Sequence, residues 1–261
     1  MRLHYEVDGE GPTVVLIHAG ICDSRSWDPQ WEVLRERYRV LRLDLPGFGR
    51  SPPPDPSQSP MQAVAGLLDQ LSVERASLVG ASFGGLVSME LALERPELPE
   101  ALVLIGASLP DHRWSRTMEE YGAEEDDALA RGDLDRAVEA NLRTWVDGPE
   151  RGPGDVDPEI RMAVAEVTRK SLELQVREQD RAEEPAVPDV GGRLAEIGVP
   201  ALVMVGALDV EDMRSIAARL ARELPDARLV TVPDAAHLPA LERPDAVTPE
   251  IESFLREVYG R

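Results

Sequence analysis

One serine stands between small residues directly after an apolar run. Ala76-Ser-Leu-Val79 leads into Gly80-Ala-Ser82-Phe-Gly84-Gly85. Small residues on either side let a strand turn sharply into a helix, which holds the serine exposed at the tip above a helix N-terminus. A serine hydroxyl is a poor nucleophile at neutral pH. It needs an imidazole to take its proton, and the imidazole needs a carboxylate to set its tautomer and stabilise its cation. Both residue types follow later apolar runs. Ala201–Val205 leads to Gly206-Ala-Leu-Asp209, and Leu229–Val232 leads to Pro233-Asp-Ala-Ala-His237. Ser82, Asp209 and His237 thus come in that order, each after its own run. Asp212, Asp234 and Asp44 are the other carboxylates placed near such runs.

The runs themselves read as strands. Val14–Ile17, Val40–Leu43, Leu78–Val79, Ala101–Ile105, Ala201–Val205 and Leu229–Val232 are rich in Val, Leu and Ile. Several are continuous and not alternating, as in strands covered on both faces. Helix-like stretches lie between them at 61–72, 84–95, 211–224 and 245–258, the last with Thr248 and Pro249 as N-cap and first helical residue. Strand–helix alternation predicts an α/β fold with a mostly parallel central sheet flanked by helices. Ligand chemistry in such sheets gathers at the carboxyl ends of the strands, where Ser82, Asp209 and His237 fall. The segment from about Leu109 to Gly192 has no convincing strand and is too long for one connection. Helical patterns at about 114–131, 133–146 and 157–180 make it a helical insertion. The predicted organisation is a core of residues 1–108 and 193–261 with a helical cap over 109–192. Ser51–Pro60, rich in proline, reads as an irregular loop.

The 261 residues suffice for one large core or a core with an inserted cap. The formal charge is -21, and no basic stripe is present to neutralise phosphates, so neither nucleic acid nor an anionic membrane is the expected partner. Between Asp111 and Asp189 there are 22 acidic and 11 basic side chains, so about half of the excess charge lies in the insertion. No apolar run has the length of a membrane span, and the N-terminus lacks a signal-peptide core. The single cysteine, Cys22, excludes an internal disulfide framework and a multi-cysteine metal site. A cytoplasmic protein is expected, and a homodimer is left open.

These motifs resemble the α/β-hydrolase family over nearly the whole chain. The matching segments are His18-Ala-Gly20, Asp44-Leu-Pro-Gly-Phe-Gly-Arg-Ser51, the Gly80-x-Ser82-x-Gly84 turn, Gly206-x-x-Asp209 and Ala236-His237. The resemblance implies that Ser82 is the nucleophile, His237 the base and Asp209 the residue that orients it. It further implies an oxyanion hole made by the backbone N–H groups of Gly20 and Phe83, and a cap that covers the active site. A serine at the turn, where other members carry aspartate, argues against dehalogenase or epoxide-hydrolase chemistry. His18 is read as a backbone-bonding residue that shapes the oxyanion loop, with a second catalytic role as the alternative. Asp44 is read as a turn residue. Cys22 is read as a small packed residue, with a reactive pocket thiol as the alternative. Within the cap, Trp114, Met118, Tyr121, Leu142 and Trp145 are the pocket candidates.

The implied activity is hydrolysis of a carboxylic ester of a small or medium substrate, with no metal or organic cofactor required. Trp27-Asp-Pro-Gln30 also looks like the 3-oxoadipate enol-lactonase branch, so lactone hydrolysis is an alternative. A carbon–carbon bond hydrolase with the same three residues, a non-hydrolytic cyclase and a ligand receptor on this fold are the others. The acidic cap weighs mildly against a carboxylate-bearing substrate, since like charge opposes its approach.

Overall fold

The structure, a computed structural model, describes residues 2–177 and 186–260. Seven strands make one sheet. They are β1 (Tyr5–Asp8), β2 (Thr13–Ile17), β3 (Arg39–Leu43), β4 (Ala76–Ala81), β5 (Pro99–Ile105), β6 (Ala201–Gly206) and β7 (Ala227–Val232), in the order β1-β3-β2-β4-β5-β6-β7. The β1–β3 pair is antiparallel and every other pair is parallel.

The continuous apolar runs follow from burial on both faces. In β2, Val15 and Ile17 join one core cluster with Leu41, Leu43, Leu78, Leu102 and Leu104. Val14 and Leu16 join the other with Val40, Val79, Val103, Leu202 and Met204. Adjacent residues of a strand point to opposite faces, so a sheet sandwiched between helix layers has no face for polar residues. Helices α1 (Asp28–Leu34), α2 (Pro60–Gln70) and α3 (Phe83–Glu94) connect the N-terminal strands, and α7 (Glu211–Glu223) links β6 to β7. Two helices close the chain, α8 (Pro239–Glu242) and α9 (Pro244–Tyr259). The edge strand β7 departs from the expectation of full cover, because its Leu229 is exposed.

The loop from Ser51 to Ser59 is irregular, as its prolines imply. It ends in a capping box, where Ser59 Oγ accepts the Gln62 N–H and the Gln62 side chain accepts the Ser59 N–H. These bonds satisfy two amide donors that a helix start would otherwise leave unpaired. The last helix begins earlier than predicted. It starts at Pro244, and Pro249 lies inside it. Thr248 is no N-cap: it is buried, and its hydroxyl accepts a hydrogen bond from Gln30 Nε2 at 3.0 Å.

Between β5 and β6, among the described residues, the chain is without strand. It carries α4 (Arg116–Ala130), α5 (Leu134–Asn141), a π-helical turn (Leu142–Asp147) and α6 (Pro158–Arg177). The prediction of helix over 178–180 lies outside the described residues. Ala128, Ala137, Val138, Leu142, Val146 and Leu172 of this segment pack with Ala19, Cys22 and Leu238 from the loops at the sheet's carboxyl edge. A second tie is polar. Asp212 at the start of α7 accepts the N–H and O–H of Ser115 at 2.8 and 2.7 Å and lies 2.9 Å from His112 Nε2. Burial pushes the Asp212 pKa up, but these bonds outweigh it and the net shift is downward.

Candidate active site

Ser82 sits at the junction of β4 and α3 with φ 49° and ψ -113°, outside the comfortable range of an L-residue. Its neighbours force this conformation. A Cβ on Gly80 would lie 2.3 Å from the Gly84 carbonyl oxygen, and one on Gly84 would lie 2.2 Å from that of Ile17. Both positions must therefore be glycine for the helix to pack this tightly on β4 and β2. The Ser82 N–H donates to the Ile105 carbonyl at 2.9 Å, which ties the strained residue to the end of β5.

His237 occupies the turn after β7 and Asp209 the turn after β6. The structure brings the three side chains into one line. His237 Nε2 lies 2.9 Å from Ser82 Oγ, and His237 Nδ1 lies 2.9 Å from Asp209 Oδ2. With the Nδ1 proton donated to the carboxylate, Nε2 is free to accept from the serine hydroxyl. The other Asp209 oxygen accepts the Val210 N–H at 2.8 Å, and both Asp209 and His237 are buried.

Three further contacts hold the imidazole. The Trp145 ring packs on it at a centroid distance of 4.6 Å. The His237 N–H donates to the Trp145 carbonyl at 3.3 Å. Glu242 accepts the N–H groups of Ala236 and Leu238, on either side of His237, at 3.0 and 3.2 Å, while Arg151 binds its second oxygen at 2.6 Å. Burial raises the Glu242 pKa against the pull of Arg151. The sequence reading missed both Glu242 and Arg151, and only their tertiary contacts mark them.

Phe83 follows the serine as the first residue of α3, so its N–H has no partner within the helix. Gly20 lines the cavity beside Ser82, and a Cβ there would lie 3.7 Å from the Phe83 Cβ. His18 is fully buried, and burial lowers its pKa. Its Nδ1 lies 2.8 Å from the Ala19 carbonyl and its Nε2 accepts the Leu45 N–H at 2.9 Å. Both ring nitrogens are thus spent on backbone, which rigidifies the loop that carries Gly20. Asp44 likewise serves the backbone, accepting the N–H groups of Ser24 and Arg50 at 2.8 Å each. Cys22 is buried, and burial with the nearby Asp23 pushes its pKa up to about 12, so it is a packed thiol and no ready thiolate.

A cavity of about 230 Å³ opens at Ser82 and His237. Of the five predicted pocket residues, Tyr121 and Trp145 line it. Trp114, Met118 and Leu142 do not. Trp114 is partly exposed and packs edge-on against His112. Met118 is buried in the sheet-side core, and Leu142 in the cluster beneath the insertion. The remaining wall places polar Glu125, Asn141, Thr168 and Ser171 beside Ile21 and Leu172. Two of these had a signal in the sequence. Met118, Tyr121, Glu125 and Ala128 are spaced 3, 4 and 3 residues apart, so Glu125 interrupts the inward stripe of α4. Asn141 does the same after Ala137 in α5.

Comparison with known proteins agrees with this geometry. The sequence model of the alpha/beta hydrolase family matches residues 14–250. The pimeloyl-[acyl-carrier protein] methyl ester esterase of Pectobacterium atrosepticum is 30% identical, over 97% of this chain and 98% of its own. Two similar solved structures are the enol-lactonase of Burkholderia xenovorans LB400 and a thermophilic esterase of Thermogutta terrifontis. The first has a TM-score of 0.79 at 27% identity, with 97% of this chain and 96% of its own covered. The second has a TM-score of 0.80 at 25% identity, with 98% and 93% covered. A strained serine between two obligatory glycines, a parallel sheet that sets it beside a histidine and an aspartate, and a sequence match over almost the entire chain converge on one conclusion: the chain belongs to the alpha/beta hydrolase family.

Proposed function

We propose that this chain is a serine hydrolase that cleaves a carboxylic ester of a small or medium substrate through an acyl-enzyme. The observation that carries the reading is the unbroken chain of 2.9 Å contacts from Asp209 through His237 to Ser82. His237 Nε2 takes the proton as Ser82 Oγ attacks the ester carbonyl, and Asp209 stabilises the imidazolium. The N–H groups of Phe83 and Gly20 receive the oxyanion, and such preorganised donors supply a large share of the rate. His237 then gives its proton to the leaving alcohol. Water, activated by the same nitrogen, releases the acid. The cycle needs no metal or organic cofactor. Residues 109–192 act as the cap, which supplies Trp145 to the imidazole and most of the cavity wall to the substrate. A cavity of about 230 Å³ lies below the ~300–1,000 Å³ of drug-sized sites, which supports a small substrate. The likeness to an enol-lactonase favours a lactone as the second reading, and the same residues serve it.

Labelling with a fluorophosphonate probe tests the proposal. An adduct that maps to Ser82, is absent in Ser82→Ala and slows strongly in His237→Ala is the expected result. Wild-type protein that is folded but neither labelled nor active on any neutral ester or lactone would overturn it.

A further inference from the structure

Among the described residues, Glu125 is the one carboxylate that lines the cavity, and no lysine or arginine lines it beside His237. The hydrogen bonds around it run in one direction. Trp145 Nε1–H donates to the Tyr121 hydroxyl at 3.0 Å, and that hydroxyl donates to Asn141 Oδ1 at 2.9 Å. Asn141 Nδ2 donates to the Ala137 carbonyl at 3.0 Å and to Glu125 Oε1. Tyr121 has a single proton, and the shorter bond to Asn141 takes it. Glu125 Oε2 is left with a contact of 3.4 Å to the same hydroxyl. A carboxylate offers about four acceptor sites, so this oxygen retains capacity toward the cavity.

The electrostatics point the same way. Burial raises the Glu125 pKa, and Asp126 adds to the rise. No ion pair to Glu125 occurs among the described residues. A partly buried carboxylate without a counter-charge is costly, and a cation supplied by a ligand removes that cost. The hydroxyls of Thr168 and Ser171 on the wall accept further hydrogen bonds.

We propose that this cavity selects esters or lactones that carry a protonated amine a few bonds from the scissile carbonyl, with Glu125 as the counter-charge. The inference rests on the serine-hydrolase reading and sharpens it, since an anionic group of similar shape would meet Glu125 with no compensating cation.

The test compares four nearly isosteric methyl esters on the wild-type enzyme: methyl 4-aminobutanoate, methyl 4-hydroxybutanoate, methyl pentanoate and monomethyl succinate. The expected kcat/KM favours the cation over the anion by about tenfold or more, the scale of one charged hydrogen bond. In Glu125→Gln that cation-to-anion ratio falls by about tenfold. A measurement without any variant runs beside it: butylammonium is expected to inhibit competitively at concentrations about tenfold lower than butanoate. Turnover of methyl pentanoate with Ser82 labelled, but no preference for the amine over the carboxylate, would overturn this inference and leave the hydrolase reading intact. An equal preference for methyl 4-hydroxybutanoate would also overturn it, since a neutral donor would then suffice. Absence of both labelling and turnover would remove the hydrolase reading and this inference together.

Discussion

The reacting end and the binding end of the site are built differently. Ser82, Asp209 and His237 stand on turns after β4, β6 and β7, held by backbone contacts and, at the His237 turn, by the Glu242 carboxylate as well. Glycines at 80, 84 and 206 let main chains approach where a Cβ would collide, that of Gly206 lying 2.0 Å from the Ala236 carbonyl. The binding end stands on α4, α5, the π-helical turn and α6, and side-chain hydrogen bonds among Trp145, Tyr121, Asn141 and Glu125 join it. One end is thus locked by sterics that tolerate no substitution, and the other by contacts that can be exchanged singly. Chemistry and selectivity can change separately on such a plan. The two ends meet at Trp145, which packs on His237, and at Gly148, whose Cβ would lie 2.7 Å from the Leu208 carbonyl.

Four changes probe this contrast. The largest effect belongs to Asp209→Asn, which keeps the shape but loses the charge and the tautomer control. Single-turnover assays should find kcat lower by about 10⁴-fold with the fold retained. Gly84→Ala strikes the steric lock, and urea denaturation should record a loss of about 3 kcal/mol, because the new methyl group has only backbone to meet. Trp145→Leu acts at the junction of the two ends. It frees the imidazole and opens the wall, and kcat/KM for small esters should drop roughly 10- to 100-fold. A loss confined to KM would show that the ring serves binding alone. The smallest effect is expected at the exchangeable end. The raised pKa of Glu125 means that the folded state holds this proton more tightly than the unfolded chain. Its stabilising contribution is present at low pH and fades as pH rises through the folded value. Glu125→Gln removes that dependence, so its stability relative to wild type should improve as pH rises from the ordinary glutamate range toward neutrality. A constant difference over that range would mean that Glu125 is not buried enough to shift.

The central strands were legible because both faces of each are covered. Val14 through Ile17 has no polar position to interrupt it, and two opposed core clusters account for every residue of the run. The start of α9 was misread because Thr248-Pro249 has the form of a helix start. The threonine hydroxyl is instead taken by Gln30, 218 residues away, a partner that local pattern does not reveal. The pocket was misread for a related reason. Trp114, Met118 and Leu142 are apolar, but an apolar side chain in a helical segment can face a core, a neighbouring helix or a cavity. Helical spacing tells which residues share a face and not what the face meets.

The sequence by itself determined the strand order along the chain, the strained serine turn and the two later turns that carry Asp209 and His237. Each of these rests on a few adjacent residues whose small size or chemistry leaves the backbone one workable course. Only the tertiary structure decided that Glu242 grips the loop of His237, that Trp145 lies on its ring, and that Glu125 and Asn141 join the cavity wall. Those contacts join helices to loops distant in sequence, and their partners are set by how the helices dock, which no local spacing encodes.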